Sequence, residues 1–236
     1  MHPTVERPIR PTRAIVGAAI VLVLVIALAA VMVDRRPRSG VGDDPDPAAA
    51  TGACVIVLHG KGGSGAPTTN ADGVTVVRPS GNARGWGGRQ WKYFPEVDYD
   101  EARTVVGDAI DRNACTRVVL NGFSNGAAFA AKLYCRGEDF DGRLVGVLVD
   151  DPVTDRAVEG CAPLAGVDIA LYWTGALEGP AQPGWNCTRA DWTCDGGSTI
   201  GIRAYSAALG VSPQASPNRD HEPYTAAPEP RAWLAG

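Results

Sequence analysis

The chain has 236 residues, 45% hydrophobic and 20% charged, with a formal net charge of −4. That length and apolar content suit one folded domain with extensions, and the absence of a long basic run argues against nucleic acid or a polybasic lipid contact as the main partner. The cations are almost all arginine, with lysine only at Lys61, Lys92 and Lys132, a usage associated with GC-rich bacterial genomes.

The first element is the apolar run from Ala14 to Val33, which contains no charge. At about 1.5 Å per residue a helix of this length spans roughly 30 Å, the thickness of a bilayer core. A transmembrane signal-anchor over 14–33 is expected, preceded by a cytoplasmic tail (1–13). Signal-peptidase cleavage near Ala27 to Ala30 is the alternative, leaving a secreted protein. Arginines flank both ends of the run, so the positive-inside rule does not orient it. The cysteines do: all six (Cys54, Cys115, Cys135, Cys161, Cys187 and Cys194) follow the apolar run, and an even number in an exported domain indicates disulfides. Their spacing does not match a zinc site. The domain is therefore expected on the extracytoplasmic side of the cell membrane.

Residues 34–51, rich in Pro, Asp, Arg and Ala without apolar periodicity, read as a flexible linker, so the folded domain covers 52–236. "CVIVLHG" (Cys54 to Gly60) and "GVTVVRPSG" (Gly73 to Gly81) are continuous apolar runs typical of parallel strands buried on both faces. "DYDEARTVVGDAIDR" (Asp98 to Arg112) carries apolar residues at helical spacing behind an acidic start. "TRVVLNG" then predicts a strand, "NGAAFAAKLYC" a helix, and "LVGVLVDD" and "VDIALYW" two further strands. "STIGIRAYSAAL" (Ser198 to Leu209) predicts a helix, followed by an irregular proline-rich tail. This alternation implies an α/β fold, a mostly parallel sheet with helices on both faces.

Gly122-Phe123-Ser124-Asn125-Gly126 is a G-x-S-x-G pattern, which arises by chance in about one in eight chains of this composition. Its context carries more weight, because it follows a buried strand and opens an alanine-rich helix, as a nucleophile elbow requires. Small residues are needed two positions either side of a serine on so tight a turn. The helix behind it aims its dipole at the serine and favours an oxyanion there. The competing reading is a helix-capping serine between turn glycines.

On these residues the stretch from Cys54 to His221 resembles the α/β-hydrolase superfamily of serine esterases and lipases. "HGKGG" (His59 to Gly63) stands where such enzymes form half of the oxyanion hole. The resemblance implies that the N–H of Lys61 or Gly62 joins that of Asn125 in binding the oxyanion. The superfamily order of serine, acid, histidine points to His221 as base, since His2 lies in the cytoplasmic tail and His59 at the oxyanion loop. The acid has two main candidates. "DDPVTD" is similar to the D-P-V segment of chlorophyllases, and platelet-activating-factor acetylhydrolases also place their acid after this strand, which implies Asp151. Glu178 in "WTGALEG" follows the next strand, the acid position of many esterases. Asp150, Asp191 and Asp195 remain further alternatives.

The loop "GNARGWGGRQWKYFPEV" (Gly81 to Val97) carries Trp86, Trp91, Tyr93 and Phe94, either to grip an acyl or aromatic group at the rim or to seal the domain edge. Polyhydroxybutyrate depolymerases and feruloyl esterases have a similar tryptophan-containing loop. The short connections leave no room for a large cap domain. The fold implied by the resemblance also suggests pairing Cys54 with Cys115, Cys135 with Cys161 and Cys187 with Cys194, one of 15 connectivities. The expected function is hydrolysis of a small-molecule, lipid or polymer ester through an acyl-enzyme on Ser124, with no metal or organic cofactor. The alternative is a catalytically inactive hydrolase fold serving as a binding or scaffold protein of the cell envelope.

Overall fold

The computed structural model describes residues 52–174, 200–218 and 220–236. The expected anchor (14–33), the linker (34–51), Glu178, Asp191, Asp195 and the Cys187–Cys194 pair lie outside the described residues. Among the described residues no helix is long and apolar enough to cross a membrane.

In chain order the elements are β1 (Ala53–Leu58), β2 (Ala66–Ala71), β3 (Val74–Arg78), the hairpin β4 (Ala83–Gly85) and β5 (Gly88–Gln90), and α1 (Glu96–Arg112). They continue with β6 (Arg117–Phe123), α2 (Asn125–Cys135), β7 (Leu144–Asp150), β8 (Asp168–Trp173), α3 (Ile202–Leu209), β9 (Gln214–Ala215) and α4 (Glu229–Ala235). Seven strands form the main sheet in the order β2-β3-β1-β6-β7-β8-β9. All neighbours run parallel except the edge pair β2 and β3. Between β7 and β8 there is only a single 3-10 turn (Arg156–Val158), so no cap is inserted there.

Period-two alternation sends the strand residues to two cores. Cys54, Ile56, Leu58, Val118, Leu120, Val147, Val149 and Leu171 face α1 and α2, while Ala53, Val55 and Val119 face Leu234 of α4. Every residue of α2 is buried, and its alanines let the helix lie close on the sheet.

Two features differ from the sequence reading. β2, "APTTNA", is exposed at all six positions, so it has no buried face to mark it as a strand. The tail past Leu209 is not wholly irregular, because α4 is a helix made stable by docking. Its Trp233 packs over Gly146 of β7, where a Cβ would come within 2.3 Å of the indole, and Arg117 donates to the Trp233 carbonyl at 2.8 Å.

The aromatic loop seals the core more than it lines a rim. Trp91 and Tyr93 are buried and stack on Phe129 of α2 at centroid distances of 5.1 and 5.8 Å. Lys132 of α2 donates to the Tyr93 carbonyl at 2.5 Å and sits 3.8 Å from the Phe94 ring centroid. Burial lowers the Lys132 pKa, and the Asp155 charge opposes that shift. Only Trp86, at the β4–β5 turn, is fully in solvent, 92% exposed.

The structure joins Cys54 to Cys115 and Cys135 to Cys161. These bonds suit an oxidising compartment. With sequence separations of 61 and 26, loop closure makes them worth about 4 and 3.5 kcal/mol respectively. Cys54→Ala/Cys115→Ala is therefore expected to lose about that first amount in urea unfolding, with the midpoint falling and the m-value rising as the uncrosslinked denatured chain exposes more surface.

Candidate active site

The turn between β6 and α2 is dictated by close backbone packing. A Cβ on Gly122 would approach the Gly126 carbonyl to 2.5 Å, and one on Gly126 would approach the Leu58 carbonyl to 2.1 Å. Neither position has room for a side chain, and between them the chain reverses within one residue. Ser124 takes φ 54 and ψ −115 there. A non-glycine residue in that region costs of order 1–3 kcal/mol, a strain the surrounding packing must hold. Its N–H donates to the Asp150 carbonyl at 3.0 Å, which ties the turn to the end of β7.

Ser124 Oγ lies 2.9 Å from His221 Nε2, and His221 Nδ1 lies 2.5 Å from Asp151 Oδ2. With Nδ1 protonated and donating to the carboxylate, Nε2 is left as an acceptor for the serine hydroxyl. Asp151 is fully buried and is itself held in place. The Thr174 N–H donates to its Oδ1 at 3.1 Å and the Thr174 hydroxyl to its Oδ2 at 2.6 Å. Phe123 packs against the His221 ring at a centroid distance of 4.6 Å. Three of the residues singled out in the sequence are thus brought into one hydrogen-bonded line, and Asp151 is the carboxylate that meets His221.

Thr174 was not among the sequence candidates. It directly follows β8, the strand beside Asp151, and a hydroxyl at the carboxyl end of a neighbouring parallel strand is the one signal that pointed to it.

The loop after β1 runs against the serine, since a Cβ on Gly60 would lie 3.2 Å from Ser124 Cβ. The β4–β5 hairpin is annealed to this loop: the Gly62 N–H donates to the Arg89 carbonyl at 2.9 Å, and the Arg89 N–H to the Gly63 carbonyl at 2.7 Å. The Gly62 amide is therefore committed to the hairpin. His59 holds the loop's shape. It accepts the Gly81 N–H at Nε2 (3.0 Å), so Nδ1 carries the proton and donates to the Gly60 carbonyl (2.8 Å). Burial lowers its pKa and the Arg89 charge adds to that, while the bond to the Gly60 carbonyl opposes it. The Asn125 side chain forms a buried two-way clamp on Trp91, accepting its N–H at 2.7 Å and donating to its carbonyl at 3.0 Å.

Beside this constellation lies a cavity of about 640 Å³. Val55, Val57, Val74 and Val76 line it with the loop from Gly60 to Gly63, Phe123 and Tyr224, chain neighbours of Ser124 and His221, and with Arg78 and Arg231.

No protein-family model matches the chain, and no curated protein does. Among solved structures it is similar to a carboxylesterase of Bacillus cereus, with 19% identity, coverage of 78% of this chain and 86% of that one, and a TM-score of 0.50. It is also similar to a protein of unknown function from Agrobacterium tumefaciens, with 18% identity, coverage of 78% and 90%, and a TM-score of 0.45.

Proposed function

We propose that this chain, built on the α/β-hydrolase fold that its likeness to the carboxylesterase shows, hydrolyses carboxylic esters through an acyl-enzyme on Ser124. The observation that carries this reading is the line of hydrogen bonds from Ser124 Oγ through His221 to Asp151. As Oγ attacks the ester carbonyl carbon, His221 Nε2 takes the hydroxyl proton, and the carbonyl electrons move onto oxygen. The backbone amides of Lys61 and Asn125 stabilise that oxyanion, the latter at the start of α2, where the helix dipole favours negative charge. Collapse expels the alkoxide, which receives the proton from His221. Water then attacks the acyl-enzyme with His221 again as base, releasing the acid and restoring Ser124. Asp151 fixes the tautomer and stabilises the imidazolium.

A fluorophosphonate probe tests this reading. Labelling mapped to Ser124, and lost in Ser124→Ala, supports it; an unlabelled folded protein would rule it out in favour of a binding or scaffold role.

The apolar cavity suits the acyl chain of the ester, since it begins beside the oxyanion loop and has hydrophobic walls. Val57→Trp would fill part of it. The variant is expected to lose roughly tenfold in kcat/KM on p-nitrophenyl octanoate while its acetate activity stays within twofold, the acetate serving as the control for folding. Equal losses on both esters would exclude the cavity as the chain site. The domain is proposed to act outside the cytoplasmic membrane, tethered by 14–33, in keeping with its two disulfides.

A further inference from the structure

Asp150 ends β7 one residue before the carboxylate that meets His221, and it is only 1% exposed. It makes two contacts that bear on the site. Its backbone carbonyl accepts the Ser124 N–H at 3.0 Å. Its side-chain Oδ2 accepts the Tyr224 N–H at 2.6 Å, three residues beyond His221 in the chain. A single residue therefore holds both the turn that carries the serine and the loop that carries the histidine. The Tyr224 ring also packs edge-on against Tyr172, 5.0 Å between centroids, and Tyr172 is the residue paired with Asp150 across β7 and β8.

We propose that Asp150 is a positioning residue, whose ionised carboxylate pins the His221 loop through Tyr224 and so keeps His221 Nε2 on Ser124. The contact with Tyr224 stands by itself; only its kinetic consequence rests on the esterase reading. A charged acceptor makes a shorter and stronger bond to a backbone N–H than a neutral one does. Burying that charge is unfavourable, the more so because Oδ1 has no hydrogen-bond partner among the described residues. An asparagine would offer Tyr224 the same acceptor without that penalty, so the charge itself needs a reason.

The ionisable groups around Asp150 come from every element packed on it. Asp151 follows it on the chain, Tyr172 faces it from β8, His221 and Tyr224 from their loop, and Glu229 of α4 accepts the Tyr172 hydroxyl. Burial is the main influence and raises the Asp150 pKa to about 6; Asp151 adds to the rise, while the Tyr224 N–H and His221 oppose it. The loop anchor is thus at full strength above about pH 6 and weakens below it. The stability linkage has the opposite sense. A carboxyl whose folded pKa is raised stabilises the fold at pH below its unfolded value, and that contribution is lost as pH rises through about 6.

The direct test is the Tyr224 amide proton in NMR, followed from pH 5 to 8 in Ser124→Ala, where no turnover interferes. It is expected to shift with a midpoint near 6 and to lose that titration in Asp150→Asn. In otherwise native enzyme, Asp150→Asn is expected to lower kcat roughly tenfold at pH 8 with KM within twofold, and Asp150→Ala to lower it further. Asp150→Asn is also expected to raise Tm at pH 8 but not at pH 4, which separates a positioning role from simple structural damage. A Tyr224 amide that does not titrate, or an Asp150→Asn enzyme with native kcat, would overturn the proposal. Should Ser124→Ala keep native turnover, the esterase reading fails instead, and the amide titration and Tm comparison still decide the role of Asp150.

Discussion

Ser124→Ala is expected to lower kcat for p-nitrophenyl esters by about 10⁴-fold or more, with KM changed only a few-fold. The substitution removes one oxygen, the atom 2.9 Å from His221 Nε2. Nothing else in the turn depends on it. The serine N–H still reaches the Asp150 carbonyl, the flanking glycines still permit the close packing of β6 and α2, and alanine bears the same strain at φ 54. Stability should therefore stay within about 0.5 kcal/mol of native, as for a substitution that touches no packing contact. The remaining rate would come from the amides and from binding alone, which in other serine hydrolases still exceeds the reaction in water. Native turnover in the variant would remove Ser124 from the chemistry.

Asp151→Asn is expected to cost about 10⁴-fold in kcat, far more than Glu178→Gln. The reason lies in the donors around the carboxylate. Thr174 supplies an N–H to Oδ1 and a hydroxyl to Oδ2, so an asparagine would direct its oxygen at the N–H and turn its NH2 towards His221 Nδ1. The imidazole would then have to accept at Nδ1 and carry its proton on Nε2. That tautomer cannot take a proton from Ser124. Geometry would be almost intact and the chemistry lost, which a crystal structure together with kinetics on the same variant would detect. A larger loss from Glu178→Gln would transfer the acid role there.

What the sequence disclosed followed from how local each constraint is. β1, β6, β7 and β8 were legible because a strand buried on both faces must be apolar throughout, and β3 because its valines still run together although only Val77 is buried. β2 had no such requirement at the sheet edge. α4 depends on a distant space, the missing side chain of Gly146 that admits Trp233, and no window around residue 233 contains it. The loop aromatics could not be assigned from composition, because gripping a ligand and sealing a core ask for the same side chains. Burial separates them, with Trp91 and Tyr93 inside and Trp86 outside. At the site, the serine turn was written locally by two glycines. The partner of His221 was not, because five carboxylates from Asp150 to Asp195 were candidates, and it is the folded path of the 220s that brings His221 to Asp151. Asp150 stood only among the alternative acids and Thr174 only at a strand end, and neither position disclosed its partner, since each acts through contacts more than twenty residues away in sequence.

The two disulfides also bear on how the chain matures. Each joins cysteines that are consecutive in the sequence, Cys54 with Cys115 and Cys135 with Cys161, so the loops neither cross nor nest. In a polypeptide emerging N-terminus first, each thiol meets its native partner as the next cysteine to appear. An oxidase acting on the chain in that order makes native bonds directly, without an isomerase to reshuffle wrong ones. By the time Cys161 has emerged, β7 lies inside one closed loop and the serine turn lies between the two, flanked by both, while the segment bearing His221 has yet to arrive. The nucleophile's framework is thus covalently set before its base can reach it.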